Sequence, residues 1–186
     1  MTRAVRVHLK TWVLDDGEVR PFRVGDQVEW GLGIDLEQLP VLAEQAEEDG
    51  IVALPAFEER HRARARADII GPAQIVIDES GIPLAAIVTP APNIALAVTG
   101  PGAIDPEWND RRVVVRGDVV VEPYLWVAGG ILRTSARQGP RAATVMRIEA
   151  LFDADRTDVG GRTVDVAAAT PHRSEIVDYI VGLSFA

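Results

Sequence analysis

The densest run of positive charge in the chain is Arg60-His61-Arg62-Ala63-Arg64-Ala65-Arg66-Ala67. On a strand, Arg60, Arg62, Arg64 and Arg66 would share one face at a spacing of ~6.6 Å. Four guanidinium groups in such a row can grip phosphates or a carboxylate-rich partner bidentately. They can equally form a ladder of cross-strand ion pairs with acids of the same chain, worth only ~0.2–1 kcal/mol each. A helix, for which Ala and Arg have the better propensity, would scatter the four around its axis. We expect a strand with the row spent on intramolecular pairs; a protein or acidic-ligand surface is the next reading and nucleic acid the last.

Other residue sets could do chemistry. Asp105, Glu107 and Asp110 could supply an acid–base pair to an enzyme. Asp153-Ala154-Asp155-Arg156-Thr157-Asp158-Val159-Gly160-Gly161 has the outline of a calcium loop. It departs from that chemistry at Thr157, at Asp158 where the loop needs Gly, and at Val164 where it needs Glu, so no metal is expected. His8, His61 and His172 have no metal-ligand spacing. Ser80, Ser135, Ser174 and Ser184 lack the context of a nucleophile elbow. Gly31-Leu32-Gly33 has no third glycine and is not a dinucleotide loop. Arg116-Gly117-Asp118 reads as a turn into a strand. Two tryptophans are interface candidates because a large rigid ring loses little entropy when immobilised. Trp12 falls in step with His8 and Lys10 on the polar face of the first strand, and Trp108 sits in the loop Asp105–Asp110. The alternative is that each ring covers an open end of a barrel.

The whole chain limits these options. Its 186 residues suffice for one domain or two small ones. An apolar fraction of 47% with 25% charged residues matches ordinary globular domains. The net charge of −9, from 28 acids and 19 bases, argues against a general nucleic-acid binder. Cys is absent, which removes disulfides, thiolate catalysis and Cys-ligated metals. No apolar run is long enough to cross a bilayer, and the first residues have no signal-peptide core. A cytoplasmic protein without a cofactor is therefore expected.

The elements that must position these residues are mostly strands. Val5, Val7 and Leu9 alternate with Arg6, His8 and Lys10. Asp15-Asp16-Gly17-Glu18 is a turn. Val28, Trp30, Leu32 and Ile34 share a face, which predicts one strand with Trp30 buried at its centre. Asp78-Glu79-Ser80-Gly81 predicts a hairpin closed by a left-handed glycine. Met146, Ile148, Ala150 and Phe152 face one way on a further strand; Val164, Val166 and Ala168 face inward on the next. A short helix is predicted over Pro40–Asp49, and Ile176–Phe185 reads as a strand. Thr89-Pro90-Ala91-Pro92-Asn93 is the candidate boundary (89–93) between two β-rich halves. In both halves Gly-Asp precedes a strand, at Gly25-Asp26 and Gly117-Asp118, a faint echo too short to claim duplication.

The opening Pro21-Phe22-Arg23-Val24-Gly25-Asp26-Gln27-Val28-Glu29-Trp30 resembles that of a family of small uncharacterised bacterial proteins, a domain of unknown function. Val115-Arg116-Gly117-Asp118 and Thr144-Val145-Met146-Arg147-Ile148 would be its later strands, so the resemblance spans about a third of the chain. Paired cysteines ahead of the Pro-Phe, part of the family pattern, are missing. The resemblance implies one β-rich unit and no activity. The expectation for residues 1–186 is a mainly β fold: a small curled barrel or sandwich with one or two short helices. The expected function is a non-enzymatic binding or assembly module for a protein partner or a second copy, with no membrane association. The alternatives are a carboxylate enzyme and a single-strand nucleic-acid barrel.

Overall fold

The structure is a computed structural model that describes residues 4–44, 48–54, 65–91, 93–99, 104–126, 132, 139–153 and 163–185. Along the chain run β1 (Val5–Lys10), α1 (Thr11–Asp15), β2 (Phe22–Arg23), β3 (Gln27–Trp30), β4 (Leu32–Leu36), β5 (Val41–Leu42), β6 (Gly50–Ala53), β7 (Arg66–Ile77), β8 (Pro83–Val88) and β9 (Leu96–Thr99). A 3-10 turn (Pro106–Trp108) leads to β10 (Arg112–Val121) and α2 (Pro123–Trp126), followed by β11 (Arg141–Phe152), β12 (Thr163–Asp165), β13 (Ala168–Ala169) and β14 (Ile176–Phe185). Among the described residues no helix is long and apolar enough to cross a membrane.

The mainly β expectation holds. Five strands, β10-β4-β9-β8-β7, close into a barrel through the pairing of β7 with β10. β10 is also the fork of the sheet. β7 pairs with it over Arg112–Asp118; beyond that point β1 takes the same side, with His8 opposite Val120. From β1 the sheet continues through β14 and β11 to β12. The segment 89–93 joins β8 to β9, which are antiparallel neighbours within the barrel.

A five-strand barrel has little room inside, and the inward positions are small accordingly. β7 turns Ala67, Ile69, Ala73 and Ile75 inward; β10 turns Val113, Val115, Val119 and Val121 inward. The two glycines of the same parity, Gly71 and Gly117, sit where backbone crosses closest. A Cβ on Gly71 would lie 2.8 Å from both Thr89 O and Pro90 N, and one on Gly117 would overlap the Asp35 carbonyl. Arg116–Asp118 is thus mid-strand rather than a turn. Gly25 does precede a strand, with φ +96°, and Asp26 Oδ2 accepts the Arg23 N–H at 2.8 Å. The two Gly-Asp pairs therefore occupy unrelated environments.

Local turn chemistry behaves as the residue types require. Asp78 Oδ1 accepts the N–H groups of Ser80 and Ile82, each at 2.8 Å, and Gly81 has φ +81°. Gly17, in the Asp15–Glu18 turn, has φ +78°. Ile176–Phe185 is a strand, β14, paired with both β1 and β11.

Four expectations are corrected. The strand predicted through Val28–Ile34 breaks at Gly31: β3 pairs only with β11, while β4 lies inside the barrel. Trp30 is half-buried on that outer strand, edge-on to Phe22 with ring centroids 4.7 Å apart. Val41–Leu42, inside the predicted helix, pairs with β10, and the Ala43 N–H reaches Arg112 O. The free edge of β10 outweighs a weak propensity; residues 45–47 lie outside the described part. A bulge between Val145 and Arg147 shifts the parity of β11, so Val145 and Ile148 are buried and Met146 is exposed. Val164 is exposed because β12 is an outer strand with one partner, β11.

Candidate partner-binding surface

Two short helices build one corner of the molecule. α1 buries Val13 and Leu14, which turns Trp12 outward. β1 has already ended at Lys10, so Trp12 stands on this helix and not on the strand's polar face. α2 follows β10 and buries Trp126. Trp126 can pack here because Gly31, just before β4, carries no side chain: a Cβ on Gly31 would overlap Trp126, while one on Gly33 would lie 3.0 Å from Glu122 Cβ. Trp126 Nε1–H donates to Leu32 O at 2.9 Å. Beneath it, Val76, Ala85, Ile87 and Ala97 form a small core outside the barrel wall. Over Ala85–Val88, β8 is buried on both faces as a result and reads in sequence as a continuous apolar run.

With Trp126 inward, Tyr124 faces out and stacks on Trp12, ring centroids 5.7 Å apart and planes 9° from parallel. Even stacked, Trp12 and Tyr124 remain 43% and 45% exposed. The Tyr124 hydroxyl donates to Asp16 Oδ2 at 3.3 Å. Partial desolvation raises the phenol above its ordinary pKa, and the charges of Asp16, Glu18 and Glu122 add to the rise.

Next to the stack is an open cleft of about 180 Å³. Its walls include Glu18, Glu29, Trp30, Pro123, Trp126 and Pro140. Glu18 and Pro123 join it to the stacked pair. Among the described residues its lining contains two carboxylates and no basic side chain.

The remaining candidates fall elsewhere. Arg66 opens β7 and is held bidentately by Glu37, Nε and Nη2 each 2.6 Å from a carboxylate oxygen. Arg116 is held likewise by Asp68 at 2.6 and 2.7 Å, and Arg147 by Asp165 at 2.7 and 3.1 Å. Hydrogen bonds to these carboxylates raise all three guanidinium pKa values. Arg60, Arg62 and Arg64 lie outside the described residues, as do 154–162 of the calcium-like loop, His61 and Ser135. Trp108 is half-buried and packs against the main core. Asp105 Oδ1 accepts the Glu107 N–H at 2.9 Å, and Asp110 Oδ2 accepts from Asn109 Nδ2 at 2.9 Å. Both therefore serve local turn structure. His8 is buried with Nε2 2.9 Å from Asp178 Oδ2, too bent for a good hydrogen bond. The His172 N–H donates to Asp15 Oδ1 at 2.7 Å. Among the described residues no three His, Asp or Glu side chains gather as metal ligands.

Tyr124 is the residue that sequence reasoning missed. Its signal was Glu122-Pro123-Tyr124-Leu125-Trp126, two aromatics after a proline at the end of a strand. No family model, curated protein or solved structure matches the chain.

Proposed function

We propose that this protein is a non-enzymatic binding module that recognises a protein partner through the corner built by α1 and α2. The observation that carries the reading is the Trp12–Tyr124 stack, two large rings left almost half in water beside a concave cleft. Aromatic residues supply much of the binding energy at protein interfaces because they bury large area at small entropic cost. Here the stack fixes both rings in advance, which lowers that cost further. The closed barrel behind them supports the corner, because Trp126 packs against Gly31 and bonds Leu32 O, seating α2 against β4.

A phage-displayed library of random dodecapeptides tests the reading. The immobilised parent should enrich a common motif, and the double variant Trp12→Ala/Tyr124→Ala should lose it while keeping the parent's circular dichroism and urea midpoint. Enrichment of nothing, or of a motif that the folded double variant retains, would refute the assignment.

A further inference from the structure

We infer that the occupant of the α1–α2 corner is an arginine-bearing, extended segment of the partner, an inference that rests on the binding reading above. The walls of the cleft complement a donor-rich cation. Glu18 and Glu29 present acceptors, Pro123 and Pro140 have no N–H to offer, and half-buried Trp30 presents aromatic surface, with buried Trp126 forming the floor. The cleft is small and open, about 180 Å³, the scale of a side chain and not of a folded element.

Arginine fits better than lysine. Its planar guanidinium stacks on aromatic rings and, with donors left over, bonds a carboxylate bidentately. A lysine ammonium is a compact, strongly hydrated charge that would keep only the Coulomb part. Beside the cleft, the Trp12–Tyr124 stack with Asp16 and Glu122 offers the same pairing of ring and carboxylate a second time. An extended chain places alternate side chains ~6.6–7 Å apart on one side, so two arginines spaced i, i+2 can address the two places together. The protein's charge of −9 adds long-range attraction for such a segment.

The test titrates 15N-labelled protein with acetyl-Gly-Arg-Gly-Arg-Gly-amide and with its lysine and citrulline counterparts, following the Trp12 indole N–H resonance. Citrulline keeps the shape of arginine and removes the charge. The expected result is a saturable shift with the arginine peptide, about tenfold weaker binding for citrulline and an intermediate value for lysine. Glu18→Gln and Glu29→Gln should each weaken the arginine peptide several-fold, while Glu79→Gln, outside the cleft lining, should leave it unchanged. Equal binding of arginine and citrulline, or no shift up to about 10 mM arginine peptide, would overturn the inference. If the library still yields an apolar or acidic motif dependent on Trp12 and Tyr124, the occupant is wrong and the binding function stands. If it yields none, both fail.

Discussion

The indole of Trp126 lies directly on the bare Cα of Gly31, and the absent side chain of Gly31 is what lets α2 rest on the barrel. The contact ties the end of β10 to the start of β4 and turns Tyr124 outward.

Gly31→Ala should therefore cost ~1–3 kcal/mol by overpacking. It should also move Tyr124 off Trp12, which equilibrium urea unfolding and the Trp12 indole resonance would each report. A variant as stable as the parent, with an unmoved Trp12 resonance, would show that α2 is not seated in this way.

Gly117→Ala places a methyl group against the Asp35 carbonyl at the fork of β10. Backbone yields less than side chain, so a loss of ~2–4 kcal/mol is expected. Gly139→Ala, where a Cβ would meet nothing within 4 Å, is the control and should be near neutral. Urea midpoints compare the two.

The alkaline limb of stability should depend on Tyr124. Its phenol pKa is raised in the folded protein, so the native state holds this proton longer than the unfolded chain does. The contribution is fully present below the unfolded value near 10 and is lost as pH rises through the higher folded value. Unfolding free energy above pH ~10 should fall more steeply in the parent than in Tyr124→Phe. Asp16→Asn should lower the phenol's titration midpoint in absorbance near 295 nm. The raised guanidinium pKa values of Arg66, Arg116 and Arg147 bear on stability only in strong alkali and add no slope near neutral pH.

The Arg66–Glu37 pair is bidentate and only 17% and 20% exposed at its side chains. Arg66→Gln should destabilise by ~0.5–2 kcal/mol, with the difference shrinking at high salt. A salt-independent loss would assign the effect to packing of the arginine stem instead.

What was legible in the sequence were elements that local residues decide. Strand β1 follows from its period of two, the hairpin 78–81 from Asp78 and Gly81, and β14 from its β-branched content. The sequence pattern runs Trp30 into β4 because glycine carries no hydropathy signal that would mark the break at Gly31. The break at Gly31 is set by Trp126, whose indole bonds 94 residues away in sequence. A strict period of two points Met146 inward, yet it is exposed, because a bulge changes parity without changing composition. Trp12 is exposed, but its partner is not legible in the sequence: Tyr124 meets Asp16 across 108 residues, and only the parallel pairing of β1 with β10 sets α1 beside α2.

The central claim is that the α1–α2 corner is the binding face, and chemical-shift mapping of the 15N-labelled protein with a library-selected peptide tests it most directly. The largest saturable shifts are expected at the Trp12 indole, Tyr124, Glu18, Glu29 and Trp30. Shifts centred instead on the exposed hairpin residues Ile77, Ile82 and Leu84, with the Trp12 indole unmoved, would contradict it.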